Sequence, residues 1–206
     1  MNRLSSAPIR AALACAALFQ VACLQRAMGP MRVPLEWRPT DEARLPGAAL
    51  DKLLKQRVAV GSFTDLRQDP EVIGKNIETR IAAQEKGVWT VSTFDDVGAF
   101  LAGHFGEILS SNGVALVPSD PTRTISAEVQ RFFVNEANTY KADVALRFTV
   151  RDGQGRTLWQ GIAEGSSNRW GKSYSAENYH EALCNAFLES VKDLAKNPEF
   201  LAAFRE

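Results

Sequence analysis

The chain has 206 residues, 45% of them apolar and 23% charged, which is enough for one domain with a real core and is the make-up of a water-soluble globular protein. Its 24 basic and 24 acidic residues cancel, so the net charge gives no electrostatic footprint for nucleic acid, and no nucleic-acid partner is expected.

Residues 1–22 read as a signal peptide. Arg3 and Arg10 precede "AALACAALFQVA" at 11–22, an apolar run of signal-peptide size and too short for a membrane crossing of ~20 residues. Val21 and Ala22 stand directly before Cys23, which resembles the lipobox where bacterial lipoproteins are cut and acylated on the new N-terminal cysteine. Cys23 is therefore the expected lipidation site and the membrane the first expected partner. Gln20 stands where leucine is usual, which leaves plain secretory cleavage as the alternative, but a good small-x-small site is lacking before Pro30. Leu24 rather than Asp after the cysteine points to the outer membrane under the usual sorting rule, with the protein on its periplasmic face. Cleavage removes Arg3 and Arg10 and leaves 22 basic against 24 acidic residues, a charge of −2.

Residues 23–56 form the lipidated N-terminus and a tether. Pro30, Pro34, Pro39 and Pro46 break helix and central strand alike. The tether is expected to drape on the domain in places, with a helical turn at Leu50, Leu53 and Leu54. A single domain fills 57–206. "RVAVGSF" opens it with Val58 and Val60 on one face of a strand. A short β-like piece at Val88–Val91 precedes a helix capped by Ser92 or Thr93. Asp95 and Asp96 suit its positive end, Phe94, Val97, Leu101, Phe105, Ile108 and Leu109 supply its apolar stripe, and Asn112-Gly113 closes it.

Ile125, Ala127 and Val129 then alternate with polar residues, and Ala142, Val144, Leu146, Phe148 and Val150 do so more strongly. "RDGQGR" at 151–156 is a hairpin turn from which "TLWQGIAEG" returns antiparallel. The Gly- and Ser-rich stretch after it reads as a loop. A long helix over 175–195 buries Tyr179, Ala182, Leu183, Ala186, Phe187, Ser190, Val191 and Leu194, and Asn197-Pro198 starts a last short helix. The expected fold is α+β: a largely antiparallel sheet of about four to five strands with two helices packed on one face.

Catalytic chemistry finds little footing. Neither His104 nor His180 has a second ligand at i+3 or i+4 in a pattern such as H-E-x-x-H, no C-x-x-C, nucleophile elbow or phosphate loop occurs, and Cys184 sits alone in a helical pattern. No metal, cofactor or catalytic residue is expected.

The stretch "VAVGSFTDLRQDPEVIGK" places Asp65 and Arg67 two residues apart just past a strand, with turn chemistry at Asp69-Pro70. Together with "VSTFDDVGAFLAGHFGEILSSNGVAL" and "LAKNPEFLAAF", it resembles the YajG-type family of bacterial envelope lipoproteins over residues 57–205. The resemblance implies a non-catalytic domain in which Asp65 and Arg67 form a fold-defining turn. A wider likeness is to the auxiliary lipoproteins of envelope transport and assembly machines. The expected role is that of a membrane-anchored accessory or binding component with an envelope protein partner. A carrier of an apolar ligand is the alternative, and an envelope hydrolase using Asp65, Arg67 and His104 comes third. Arg169, Trp170 and Tyr174, of residue types enriched in interface hot spots, are the candidate interaction residues.

Overall fold

The computed structural model describes residues 30–79, 86–171 and 173–205; Cys23 and the signal peptide lie outside them. In chain order the elements are β1 (Met31–Arg32), α1 (Gly47–Leu53), β2 (Val58–Asp65), β3 (Val72–Thr79), β4 (Lys86–Ser92), α2 (Val97–Ser111), β5 (Arg123–Glu136), β6 (Thr139–Asp152), β7 (Thr157–Trp170), α3 (Ala176–Lys196) and α4 (Pro198–Ala202). The strands form one seven-stranded sheet ordered β1-β4-β3-β5-β6-β7, with β2 also lying beside β5.

The α+β class stands, but the sheet exceeds the four to five strands expected and is mixed. β1 runs parallel to β4, and β2 and β3 run parallel to β5. The reason the sequence hid this is local. Past a bulge in β3, the positions facing the helices are Gly74 and Asn76, so "VIGKNIET" carries no apolar alternation. β2 and β3 share one edge of β5, β2 along Arg123–Val129 and β3 along Val134–Glu136, and the chain turns between them beside a β5 bulge at Val129/Arg131.

β6 shows why one face is covered. Tyr140, Ala142, Val144, Leu146, Phe148 and Val150 are all buried under α2 and α3, each large apolar side chain contributing about 1.5–3 kcal/mol by leaving water. α3 presses on β7 so closely that a Cβ on Gly165 would stand 2.1 Å from the Ala186 carbonyl oxygen. Ser167 is small enough to sit beneath the helix and donates to the Ala182 carbonyl at 2.7 Å. This corrects the loop expected at 165–170: glycine and serine are there because a helix leans on the strand, and β7 continues to Trp170. The start of α2 is also corrected. Asp96 is its N-cap, accepting from the Ala99 amide at 2.9 Å, and Phe94 lies before the helix, 72% exposed under the Arg32 guanidinium.

The proline-containing segment is bound into the body from Met31 onward. Val33, Leu45, Ala49 and Leu53 are buried, and residues 33–45 lie as a strap across α2 and α3. Past Val33, whose amide donates to Ser92 O of β4, strap amides are met by side chains: Asp95 accepts from Leu35 N, Asn185 from Thr40 N and Asn112 from Leu45 N. The packed body thus begins well before residue 57.

Candidate functional site

Asp65 ends β2, and Arg67 stands where the chain must leave β5 before β3 rejoins it. The Leu66 amide still donates to Val129 O, and the Asp65 carboxylate accepts from the Arg67 amide at 3.1 Å, closing a side-chain turn. The guanidinium then binds the carboxylate with both prongs, Nε at 2.9 Å and Nη2 at 2.6 Å. Its remaining donors go to the carbonyls of Val72 (2.8 Å), Phe132 (3.1 Å) and Pro70. The side chains are 7% and 14% exposed for Arg67 and Asp65. Every prong of the arginine is occupied, by the Asp65 carboxylate at the end of β2, by Pro70 in the turn, by Val72 at the start of β3 and by Phe132 within β5, so this group holds β2, β3 and β5 together.

Arg169, Trp170 and Tyr174 lie together at the end of β7 but face different ways. Arg169 points to the helix side, where its Nε binds Glu181 of α3 at 2.6 Å. Trp170 is on the opposite face and 82% exposed. Tyr174, at φ 42°, is half-buried, and its amide donates to Glu136 Oε1 at 3.1 Å.

Glu136 is the residue the sequence reading missed. It is 1% exposed, and its Oε2 accepts from the Tyr179 hydroxyl at 2.8 Å. Tyr140 packs edge-on against Tyr179 with ring centres 5.3 Å apart. Burial first, then the hydrogen bond to Glu136 and its negative charge, push the Tyr179 phenol well above its ordinary range; burial and Glu136 also raise Tyr140 and Tyr174. Gly74 makes room, since a Cβ there would meet the Tyr179 ring at 2.7 Å. The available signal was the inward alternation Phe132, Val134, Glu136, which restarts after the bulge.

The remaining chemistry-bearing residues hold the strap. His180 Nε2 lies 2.7 Å from the Pro34 carbonyl oxygen and so carries the proton. The Cys184 thiol donates to Glu36 O and accepts from Arg38 N, both at 3.4 Å, and burial pushes it up to about 11. His104 stacks on Trp37 at 4.3 Å and pairs with Glu107. It borders neither hollow that Asp65 or Arg67 lines, so the three are not brought together. Among the described residues no group of three or more His, Cys, Asp or Glu could hold a metal, and no helix is long and apolar enough to cross a membrane.

Two hollows flank the sheet, the first on its uncovered face and the second at the β7 edge against α3. One of about 370 Å³ lies among Arg67, Asp69, Phe133 and Asn135, and one of about 410 Å³ among Glu164, Ser166, Glu189 and Asp193; Arg131 and Asp143 border both. Their walls carry charges of both signs.

No family model and no curated protein matches the chain. Among solved structures it superposes on protein XCC0632 from Xanthomonas campestris, described under the family model DUF330, with TM-score 0.53 and 13% identity over 80% of this chain and 92% of that one. The PelC dodecamer from Paraburkholderia phytofirmans (TM-score 0.39, 14% identity, 66% and 86% covered) and lipoprotein GNA1162 from Neisseria meningitidis (TM-score 0.35, 10% identity, 54% and 83% covered) superpose too loosely to bear on the site. At these identities the finding is one of fold: the chain has the architecture of the XCC0632 protein.

Proposed function

We propose that the protein is a non-catalytic accessory lipoprotein of the bacterial envelope, akin to the YajG-type family, anchored through Cys23 to the periplasmic face of the outer membrane and serving a protein partner there. The observation that carries this reading is the binding of the N-terminal segment into the fold. Cys23 precedes Pro30 by seven residues, and the packed body starts at the next residue. At ~3.6 Å per residue the connection reaches at most about 25 Å, so an acylated Cys23 would hold the domain close to the bilayer.

The hydrolase alternative loses support because His104, His180 and Cys184 are committed to the strap. The carrier alternative loses it because the hollow between β7 and α3 is walled mainly by charged side chains, Arg131, Asp143, Glu164, Glu189, Asp193 and Lys196, which do not suit an apolar ligand. The partner surface that remains is the uncovered face around Arg131 and Asp143.

Cys23→Ala tests the anchor. A lipoprotein cysteine carries more than the one chain that gives only marginal membrane binding, so the variant should move from the membrane to the soluble periplasmic fraction and lose its acyl mass. Unchanged membrane retention would sink the lipoprotein reading. Photo-crosslinking from position 131 in living cells should then capture one reproducible envelope protein.

A further inference from the structure

One end of the sheet's uncovered face carries three exposed apolar side chains in a row. Ile77 and Val88 are directly paired across β3 and β4 and are 39% and 61% exposed. Trp170, paired with Thr139 at the same end of β6 and β7, is 82% exposed. With strands ordered β4-β3-β5-β6-β7, four steps of about 4.8 Å separate Val88 from Trp170, so the row spans roughly 20 Å.

The next row back on this face is polar and basic. Thr90 pairs with Lys75, Lys75 with Asn135, Asn135 with Lys141 and Lys141 with Asn168. Apolar tips, one of them a tryptophan, backed by lysines a single pleat behind are what a bilayer surface selects: indole and aliphatic groups enter the interface while ammonium groups meet lipid phosphates.

The chain's own course gives this row its occupant. β1 is parallel to β4, with Met31 beside Val91 and Arg32 beside Ser92. β1 starts on the side of the earlier β4 residues, so Pro30, the first described residue, stands toward the Val88 end, and Cys23 is within about 25 Å of that point. The described chain therefore begins on the side where the apolar row is exposed, and the seven residues to Cys23 join it there.

We propose that this end of the sheet docks on the membrane surface, with Ile77, Val88 and Trp170 in the lipid interface and Lys75 and Lys141 on the headgroups. The proposal rests on the lipoprotein reading and fixes the domain's orientation: the far end, with the 152–156 turn and α4, points away from the bilayer. The tryptophan named from sequence as a protein hot spot is thereby assigned to lipid.

The test uses the full acylated protein, extracted from its membrane and reconstituted in vesicles of phosphatidylethanolamine and phosphatidylglycerol. Single thiols are introduced by Val88→Cys, Trp170→Cys and, at the far end, Gln154→Cys, each labelled with an environment-sensitive dye; Cys23 is consumed by acylation and Cys184 is buried. Quenching by lipids spin-labelled near the headgroup is expected to be at least roughly threefold stronger at positions 88 and 170 than at 154, since interfacial groups lie about 5–10 Å into the headgroup boundary. Equal quenching at all three, or none at 88, overturns the docking. Quenching at 88 with position 170 dark and crosslinked to an envelope protein overturns the assignment of Trp170. The acyl mass on Cys23, read from the same sample, separates these results from failure of the anchor: its absence overturns both readings, and its presence with unquenched probes overturns the docking alone.

Discussion

The turn at Asp65–Arg67 and the strand end at Arg169–Trp170 use the same pair, an arginine against a carboxylate, to opposite effect. Arg67 is 7% exposed and has its guanidinium on one carboxylate and three carbonyls of the β2–β3 turn and β5. Arg169 is 31% exposed, binds Glu181 and the carbonyl of its own neighbour, and leaves Trp170 standing in solvent. The first group is used up in joining strands. The second fixes a backbone so that an aromatic ring points outward, and what a site can bind is decided by what its polar neighbours leave free.

The sharpest way to break the contrast is Arg67→Ala. It leaves the Asp65 carboxylate partly buried without its cation and strips three carbonyls of their donor, a loss of about 3–5 kcal/mol for a buried pair with one partner removed. Urea unfolding measures it; a cost under ~1 kcal/mol would mean the strands do not need the arginine. Asp65→Ala should cost less, about 1–3 kcal/mol, because the arginine keeps its carbonyls. Any cellular function should fall only in proportion to folded protein, and a fully stable Asp65→Ala that lost its role would turn the group into a binding site.

Behind Trp170 the buried tyrosines give a pH signature. Tyr179, Tyr140 and Tyr174 are raised above their ordinary value of 10.0, so the folded state holds protons that the unfolded chain gives up. The stability they confer is fully present below about pH 10 and is lost as pH rises beyond it, by about 1.4 kcal/mol per pH unit for one fully retained proton. Thermal unfolding between pH 9 and pH 11 should show this slope, and Tyr179→Phe should flatten it. A slope unchanged in the variant would remove Tyr179 from the account.

Legibility in the sequence followed side-chain periodicity. β6 and α3 were readable because they bury apolar side chains at regular intervals, and Asp65 with Arg67 stood out because their spacing suits a turn. β3 was not, since its inward positions hold Gly74, which makes room for Tyr179, and the polar Asn76. The last half of β7 was hidden for a related reason, the close approach of α3 at Gly165. Both are places where backbone contact replaces side-chain burial, and no hydrophobic pattern records that. Glu136 was hidden by the β5 bulge, which shifts the inward parity after Val129.

The smallest effect is expected at Trp170. A side chain 82% exposed removes little apolar surface from water on folding, and the Arg169–Glu181 pair and the strand pairing with Thr139 hold the backbone without help from the ring. Trp170→Ala should therefore change folding stability by no more than ~0.5 kcal/mol, the range of ordinary surface substitutions. Urea unfolding of the soluble Cys23→Ala chain, with and without the second substitution, measures this free of any membrane. A loss above ~1 kcal/mol would show that the indole supports the strand end. Unchanged stability would leave Trp170 as a surface feature whose exposure the fold does not require, which is the condition that an outward-facing role demands.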